Sequence, residues 1–287
     1  MKVLLFGATG NLGQAMANEL KQKGYETTCV VRDTSKLKGL ESITDKFINA
    51  DVTNPVSLIN ICSSFDIIIS ALGKSVSPND NSKPSFKDID YIANSNILNE
   101  AKKSTVKKFI YISAFHSEKY LHLEYFKVHH EFSQKLISSG INYTIIKPPA
   151  IFSAFKDMVE MAKKGQLINI GLGDKKTNPI YEGDLAGIIV ESIKGSNQII
   201  EAGGKVIYTR RQINEIIQKS TNPEKKIRYA PLSLFKLILS LMKLINKNLF
   251  DKYSFFIEVM QHDTIAPQLG KMTLEEYLTL KKQNTIQ

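Results

Sequence analysis

The chain has 287 residues, 43% of them hydrophobic and 23% charged, which fits one globular domain with a smaller lobe and excludes a disordered or fibrous protein. The net charge of +10 comes from scattered lysines with only four arginines, and no helix-turn-helix, finger or aromatic-basic pattern accompanies it, so nucleic-acid binding is disfavoured. No apolar run is long enough to span a bilayer. The opening MKVLLFGATG is a strand entering glycines rather than an export signal. Cys29 and Cys62 sit in apolar stretches without framework or metal spacing, which suits a reduced, cytoplasmic setting.

In chain order, KVLLFGA (2–8) predicts a buried strand and GQAMANELKQKG (13–24) a helix ending on a glycine cap. YETTCVVRD (25–33) predicts a second strand, DKFINADVT (45–53) holds a third, PVSLINICSS (55–64) a helix and FDIIISALG (65–73) a fourth strand. DYIANSNILNEAKKS (90–104) predicts a helix and KKFIYISA (107–114) a fifth strand. A helix then carries LEYFKVHHEFSQ (123–134) to Ser139-Gly140, and YTIIKPPAIF (143–152) is a sixth strand. Apolar strands alternating with crossover helices imply an α/β, Rossmann-type doubly wound parallel sheet. The polar loop KSVSPNDNSKPSF (74–86) follows the fourth strand and is expected at the ligand-bearing edge. Residues 1–152 with about 178–203 form the expected nucleotide-binding domain, and 153–177 with 204–287 a smaller, mainly helical substrate lobe.

PLSLFKLILSLMKLINKNLF (231–250) is the most apolar helix, with Lys236, Ser240, Lys243 and Lys247 on one stripe. That pattern suits a helix buried on most of its circumference. A basic membrane-surface helix is the sharper alternative.

The first strand runs into Gly7, Ala8, Thr9, Gly10, Asn11, Leu12 and Gly13 and then a helix. Glycines permit a tight turn and close ligand approach, and a helix N-terminus offers N–H groups to a pyrophosphate. This placement at the first strand–helix junction predicts dinucleotide binding. After the second strand come Arg32 and Asp33, with Lys36 close by. A guanidinium suits the 2′-phosphate, so NADP(H) is favoured over NAD(H), with Asp33 keeping NAD open. Asp51-Val52 is placed to hold the adenine edge, or Asp51 simply starts the turn before Asn54-Pro55.

Together the glycine string, Asp51-Val52, Ser70-Ala71-Leu72-Gly73, KKFIYIS, SSGINYTIIKPPAIF and NPIYEGDLA (178–186) resemble the atypical and extended short-chain dehydrogenases/reductases. The NmrA-like and NAD(P)H-binding reductase branches are nearest in style. The likeness covers about residues 1–190. It adds Ala71, Leu72 and Gly73 to the cofactor contacts. It implies catalysis by Ser, Tyr and Lys, and Ser113 matches the serine. Counting back from Leu136 before the Ser-Gly pair places the tyrosine at Tyr125 and the lysine at His129. Lys127 points off the shared face. Lys147-Pro148-Pro149 is similar to the family's Arg-Pro, so Pro148 and Ile151 are expected to line the nicotinamide; strand termination is the plainer reading.

A Tyr125 hydroxyl can protonate a substrate oxygen, but its pKa of ~10 normally needs a neighbouring cation. Histidine at position 129 keeps a ribose hydrogen bond and weakens that assistance, since it is mostly neutral at pH 7. The plainer readings are a strand-end hydroxyl for Ser113 and a core aromatic for Tyr125. His116, His122, His129 and His130 crowd one region without metal-ligand spacing, so no metal is expected. The expected function is an NAD(P)H-dependent oxidoreductase acting on a small apolar carbonyl, enone or quinone-like substrate, as a monomer or homodimer. The alternative is a noncatalytic NADP(H)-binding sensor or scaffold working through a protein partner.

Overall fold

The computed structural model describes residues 1–286 except Lys38 and Asp45; the side chains of Lys36, Leu241, Leu244 and 284–286 also fall outside the description. In chain order the elements are β1 (Lys2–Phe6), α1 (Asn11–Gln22), β2 (Glu26–Val31), β3 (Phe47–Asn49), β4 (Ile67–Ser70), α2 (Asn94–Lys102), β5 (Lys108–Ile112), α3 (Glu124–Ile137) and β6 (Asn142–Lys147). They continue with α4 (Lys156–Lys163), β7 (Ile168–Ile170), β8 (Lys176–Thr177), α5 (Glu182–Glu191), β9 (Gln198–Glu201), β10 (Tyr208–Thr209) and α6 (Arg210–Thr221). Last come β11 (Arg228–Ala230), α7 (Leu232–Ile245), α8 (Lys247–Gln261) and α9 (Leu274–Ile286).

A seven-stranded sheet runs β3-β2-β1-β4-β5-β6-β9, parallel from β3 through β6. The chain winds outward from β1 to β3, then returns to lay β4 on the other side of β1. The carboxyl ends of β1 and β4 therefore flank the point where strand order reverses, the place where open α/β sheets bind ligands. The sheet's apolar strands explain its burial. Leu4, Phe6, Ile68, Phe109 and Tyr111 belong to one buried cluster with Leu98, Phe132 and Leu136 from the covering helices. Each such aliphatic or aromatic side chain contributes roughly 1.5–3 kcal/mol. Gly24, at φ +75°, ends α1: its amide donates to Lys21 O, and Tyr25 N to Leu20 O, closing the helix as a Schellman cap. Lys108 is buried at the start of β5 and donates to Ser192 O at 2.6 Å and Gly195 O at 2.7 Å. Burial lowers its ammonium pKa to about 8. Cys29 and Cys62 are buried free thiols, pushed up to about 12 by desolvation.

The chain divides into two compact units. One comprises Met1–Lys74, Lys83–Lys147 and Leu185–Ile200, and the other Ser75–Ser82, Pro148–Asp184 and Glu201–Gln287. The second has its own core, including Phe152, Phe155, Leu167, Ile213, Ile217 and Leu274. Its loop 75–82 is tied to α8, because the buried Lys252 ammonium donates to Ser77 O at 3.0 Å and Asp80 O at 2.6 Å.

Three expected helices differ from the structure. Residues 55–64 form only a 3-10 turn at Pro55–Leu58, since Asn60 takes a left-handed φ of 61°. The helix expected at 90–104 begins as a π-helical turn, Lys87–Ala93, before α2. The single helix expected over 231–250 is broken at Asn246, whose extended backbone ends α7 and whose side chain accepts from Leu249 N at 3.1 Å to cap α8. Nor is it mostly buried: Leu234, Leu237, Ile238 and Ile245 of α7 are exposed. The sixth strand stops at Lys147, before the two prolines remove backbone donors.

Candidate functional site

β1 delivers the chain to Gly7 at φ +78°. A Cβ there would lie 2.6 Å from the Ala71 carbonyl oxygen, so the turn after β1 and the end of β4 touch backbone to backbone. At Gly13 a Cβ would overlap the Gly7 oxygen and lie 2.7 Å from Ala8 Cα. Gly10 is different. A Cβ there would come no nearer than 3.4 Å to the Gly7 oxygen, and the residue is exposed. The fold itself does not demand glycine at that position, which leaves its backbone open to approach from outside.

Gly10 is the N-cap of α1, and neither a capping side chain nor an acidic residue occupies the first turn. The helical ladder starts with Gln14 N to Gly10 O at 2.9 Å, so the amides of Asn11, Leu12 and Gly13 precede it. Such amides with the positive end of the helix dipole suit a phosphate. Ala8 and Leu12 are buried, and the Thr9 carbonyl accepts from Gln14 Nε2 at 3.3 Å. The residues present therefore fit a dinucleotide diphosphate.

At the end of β2, Arg32 is exposed. The Asp33 carboxylate accepts from Ser35 N at 3.0 Å and Ser35 Oγ at 2.6 Å, capping a short 3-10 turn. Asp51 accepts from Thr53 Oγ1 at 2.7 Å and Thr53 N at 2.9 Å. Those bonds, with the Arg32 charge, hold its carboxyl below the usual range. Val52 packs against the sheet core, and its carbonyl accepts from Asn96 Nδ2 at 3.1 Å. Beyond β4, Ser70 Oγ donates to Asn94 Oδ1 at 2.5 Å, and Ala71 N to Phe6 O at 3.0 Å, which fixes the run Ala71-Leu72-Gly73 beside the glycine loop.

Helix α3 sets Tyr125 and His129 one turn apart, with ring centroids 4.7 Å apart and planes at 68°. Phe86 meets Tyr125 edge-on at 5.3 Å. Lys127 points away, 3.9 Å from Glu131. The buried His129 ring is engaged at both nitrogens: Nδ1 lies 2.6 Å from Tyr111 Oη, and Nε2 lies 3.5 Å from Asp90 Oδ1. Asp90 sits in the π-helical turn, fully buried, and accepts from Lys74 N at 3.2 Å. The tautomer with the proton on Nε2 accepts from Tyr111 Oη at Nδ1 and turns its N–H toward the Asp90 carboxyl. Ser113 Oγ is 3.0 Å from Ser133 Oγ, which donates to His129 O at 2.7 Å, so this serine braces the helix that carries the histidine.

Burial dominates the electrostatics here. It lowers His129 to about 3, well below the mildly acidic value expected from sequence, so the ring is neutral at pH 7. It raises the Tyr125 hydroxyl, and the Asp90 charge adds to that shift. Asp90 is itself raised by desolvation, opposed by its bonds to the Lys74 region. A cation assisting Tyr125 is thus replaced by a neutral, hydrogen-bonded ring. Asp90 and Tyr111 escaped sequence reading because they lie 39 and 18 positions from His129; an aspartate among buried helix positions was the available signal.

In the second unit, Pro148 and Ile151 are half-buried. Ile180 N donates to Ala150 O at 2.9 Å and Ala154 N to Ile151 O at 3.1 Å, so these carbonyls have protein partners. His116 stacks on Phe115 at 3.8 Å, and no three His, Cys, Asp or Glu groups among the described residues could hold a metal ion.

A parallel sheet with a glycine turn at its switch point is the architecture of a dinucleotide-binding protein. Residues 7–195 match the NAD(P)H-binding family, and the chain belongs to it. It is 28% identical over 273 residues to the chloroplastic divinyl chlorophyllide a 8-vinyl-reductase of Arabidopsis thaliana, covering 86% of this chain and 64% of that protein. It is 24% identical over 242 residues to the photosystem II assembly factor Ycf39 of Cyanophora paradoxa, covering 83% and 74%. Among solved structures, the NADPH-dependent quinone oxidoreductase of Escherichia coli complexed with NADPH shares the fold, with a TM-score of 0.70, 19% identity, and 98% and 99% of the two chains covered.

Proposed function

We propose that this chain is an NADP(H)-dependent oxidoreductase reducing a small apolar enone, quinone-like compound or carbonyl. The observation that carries the reading is the glycine turn at the sheet's switch point, where Gly10 alone of the three glycines leaves room for a group from outside. Gly7, Ala8, Thr9, Gly10, Asn11, Leu12 and Gly13 would hold the diphosphate, Arg32 the 2′-phosphate, and Asp51-Val52 with Ala71, Leu72 and Gly73 the adenosine side. The capping role of Asp33 leaves the exposed Arg32 guanidinium as the group suited to a phosphate, which supports NADP(H) over NAD(H).

When bound, NADPH supplies the hydride. Tyr125 donates the proton to the acceptor oxygen. His129 stays neutral, and its hydrogen bond to Tyr111, with Asp90 close to its other nitrogen, holds the α3 face against which Tyr125 packs. Ser113 steadies the same helix through Ser133. A tyrosine without a cation is a weak acid, so acceptors that delocalise the arriving charge suit this site better than simple ketones. The test is turnover of purified protein with NADPH against a panel of enones, quinones and ketones. Activity on ketones alone contradicts the preference, and no activity on any acceptor contradicts the reading.

A second, NmrA-like reading is a noncatalytic NADP(H)-responsive scaffold. It is favoured by the buried His129, engaged at both nitrogens where the family carries lysine, and by the likeness to an assembly factor. It predicts nucleotide binding and a protein partner without hydride transfer.

A further inference from the structure

The segment before and within α7 takes no part in the proposed chemistry. Leu234, Leu237, Ile238 and Ile245 are exposed, Leu237 by 62% and Ile245 by 84%. At 3.6 residues per turn they form one stripe about 100° wide. Leu232, Phe235, Leu239 and Met242 form a second, half-buried stripe, and α7 packs along α8. The helix thus spends one apolar side on the protein and presents another to the outside. Just before it, Tyr229 is 63% exposed, an aromatic body with a polar tip.

Charge points to the partner. Between Glu224 and Asp251 there is no acidic residue, while Lys225, Lys226, Arg228, Lys236, Lys243 and Lys247 supply cations. Lys247 pairs with Asp251 at 3.2 Å; the other five are exposed. A second copy of the chain would cover the apolar stripe but offer these cations no acidic partner from the same segment. A bilayer of anionic lipid accepts apolar side chains and lysines along one helix. Among the described residues no helix is long and apolar enough to cross a membrane, so α7 would lie along the surface.

We propose that α7, with Tyr229 and Arg228 before it, docks this chain onto an anionic lipid surface. Leu234, Leu237, Ile238 and Ile245 enter the boundary between headgroups and acyl chains, and Lys236 and Lys243 reach the headgroup phosphates.

The test is co-sedimentation of the full chain with phosphatidylcholine vesicles and with phosphatidylcholine–phosphatidylglycerol vesicles. Binding at least about tenfold stronger to the anionic vesicles, weakening with added salt, is expected. The double variant Leu237→Glu/Ile245→Glu should bind at least about tenfold more weakly at an unchanged melting temperature, because both positions are exposed. Leu280→Glu, at an exposed position on α9, should bind as the parent does. Absence of sedimentation overturns the proposal, as does vesicle binding that survives the double variant. A concentration-dependent dimer that the double variant abolishes, with no lipid binding by the parent, overturns it in favour of a second copy.

Discussion

The glycine turn after β1 and the α3 face around His129 sit in the same unit and stand in opposite relation to their family's pattern. At the turn every expected residue type is present, and Gly7 and Gly13 are required by backbone contacts of the fold itself. On α3, Tyr125 stands where the resemblance expects the catalytic tyrosine, and His129 stands at the expected lysine position, drawn down to about 3 and held between Tyr111 and Asp90. On the proposed reading, nucleotide binding and proton donation are therefore separable. The first rests on backbone geometry, which one side chain cannot easily undo; the second rests on charge, which one substitution removes.

The sharpest way to separate them is Tyr125→Phe. It should lower kcat about 10²–10⁴-fold with NADPH affinity unchanged, read by steady-state kinetics and a binding titration. Unchanged turnover would assign the proton to another donor. Gly13→Val acts on the other region: backbone overlap with Gly7 and Ala8 should cost about 3 kcal/mol or more, seen as a lower denaturant midpoint together with lost nucleotide binding.

The buried histidine gives a pH signature. Unfolded, His129 takes a proton below about pH 6.5, whereas folded it resists until about pH 3. Its share of stability is thus complete above pH 6.5 and is lost as pH falls through that window, by at most about 1.4 kcal/mol per unit. Asp90 acts in the reverse sense, since its raised carboxyl holds a proton that the unfolded chain releases. Asp90→Asn should therefore steepen the acid loss and His129→Gln should flatten it, both followed by urea midpoints across that pH range. Identical slopes in all three proteins would contradict the buried chain. The smallest effect is expected at Arg32: Arg32→Gln should reduce the NADPH-to-NADH affinity ratio about tenfold, the worth of one charge-assisted contact.

The contrast also explains what could be read in advance. Strands such as KVLLF and DIIIS are legible because a two-sided parallel sheet demands unbroken apolar runs, and the glycine turn because its constraint is local. The choice of Tyr125 and His129 comes from the resemblance, counted back from Leu136, and the helix period adds only that the two share one face. What His129 meets did not, because Tyr111 and Asp90 reach it through tertiary packing. The break at Asn246 was hidden by apolar residues on both sides, although an asparagine that caps a new helix is a local signal in hindsight. The exposure of α7 was hidden for a different reason: a stripe facing lipid and a stripe facing a core have the same periodicity.

The most direct measurement is a calorimetric titration of the purified chain with NADPH, run beside Gly10→Ala. The account predicts saturable binding by the parent, and weaker binding by the variant at an unchanged melting temperature, since that Cβ meets no protein atom closer than 3.4 Å. No heat from the parent, or equal affinity in the two proteins, would contradict it.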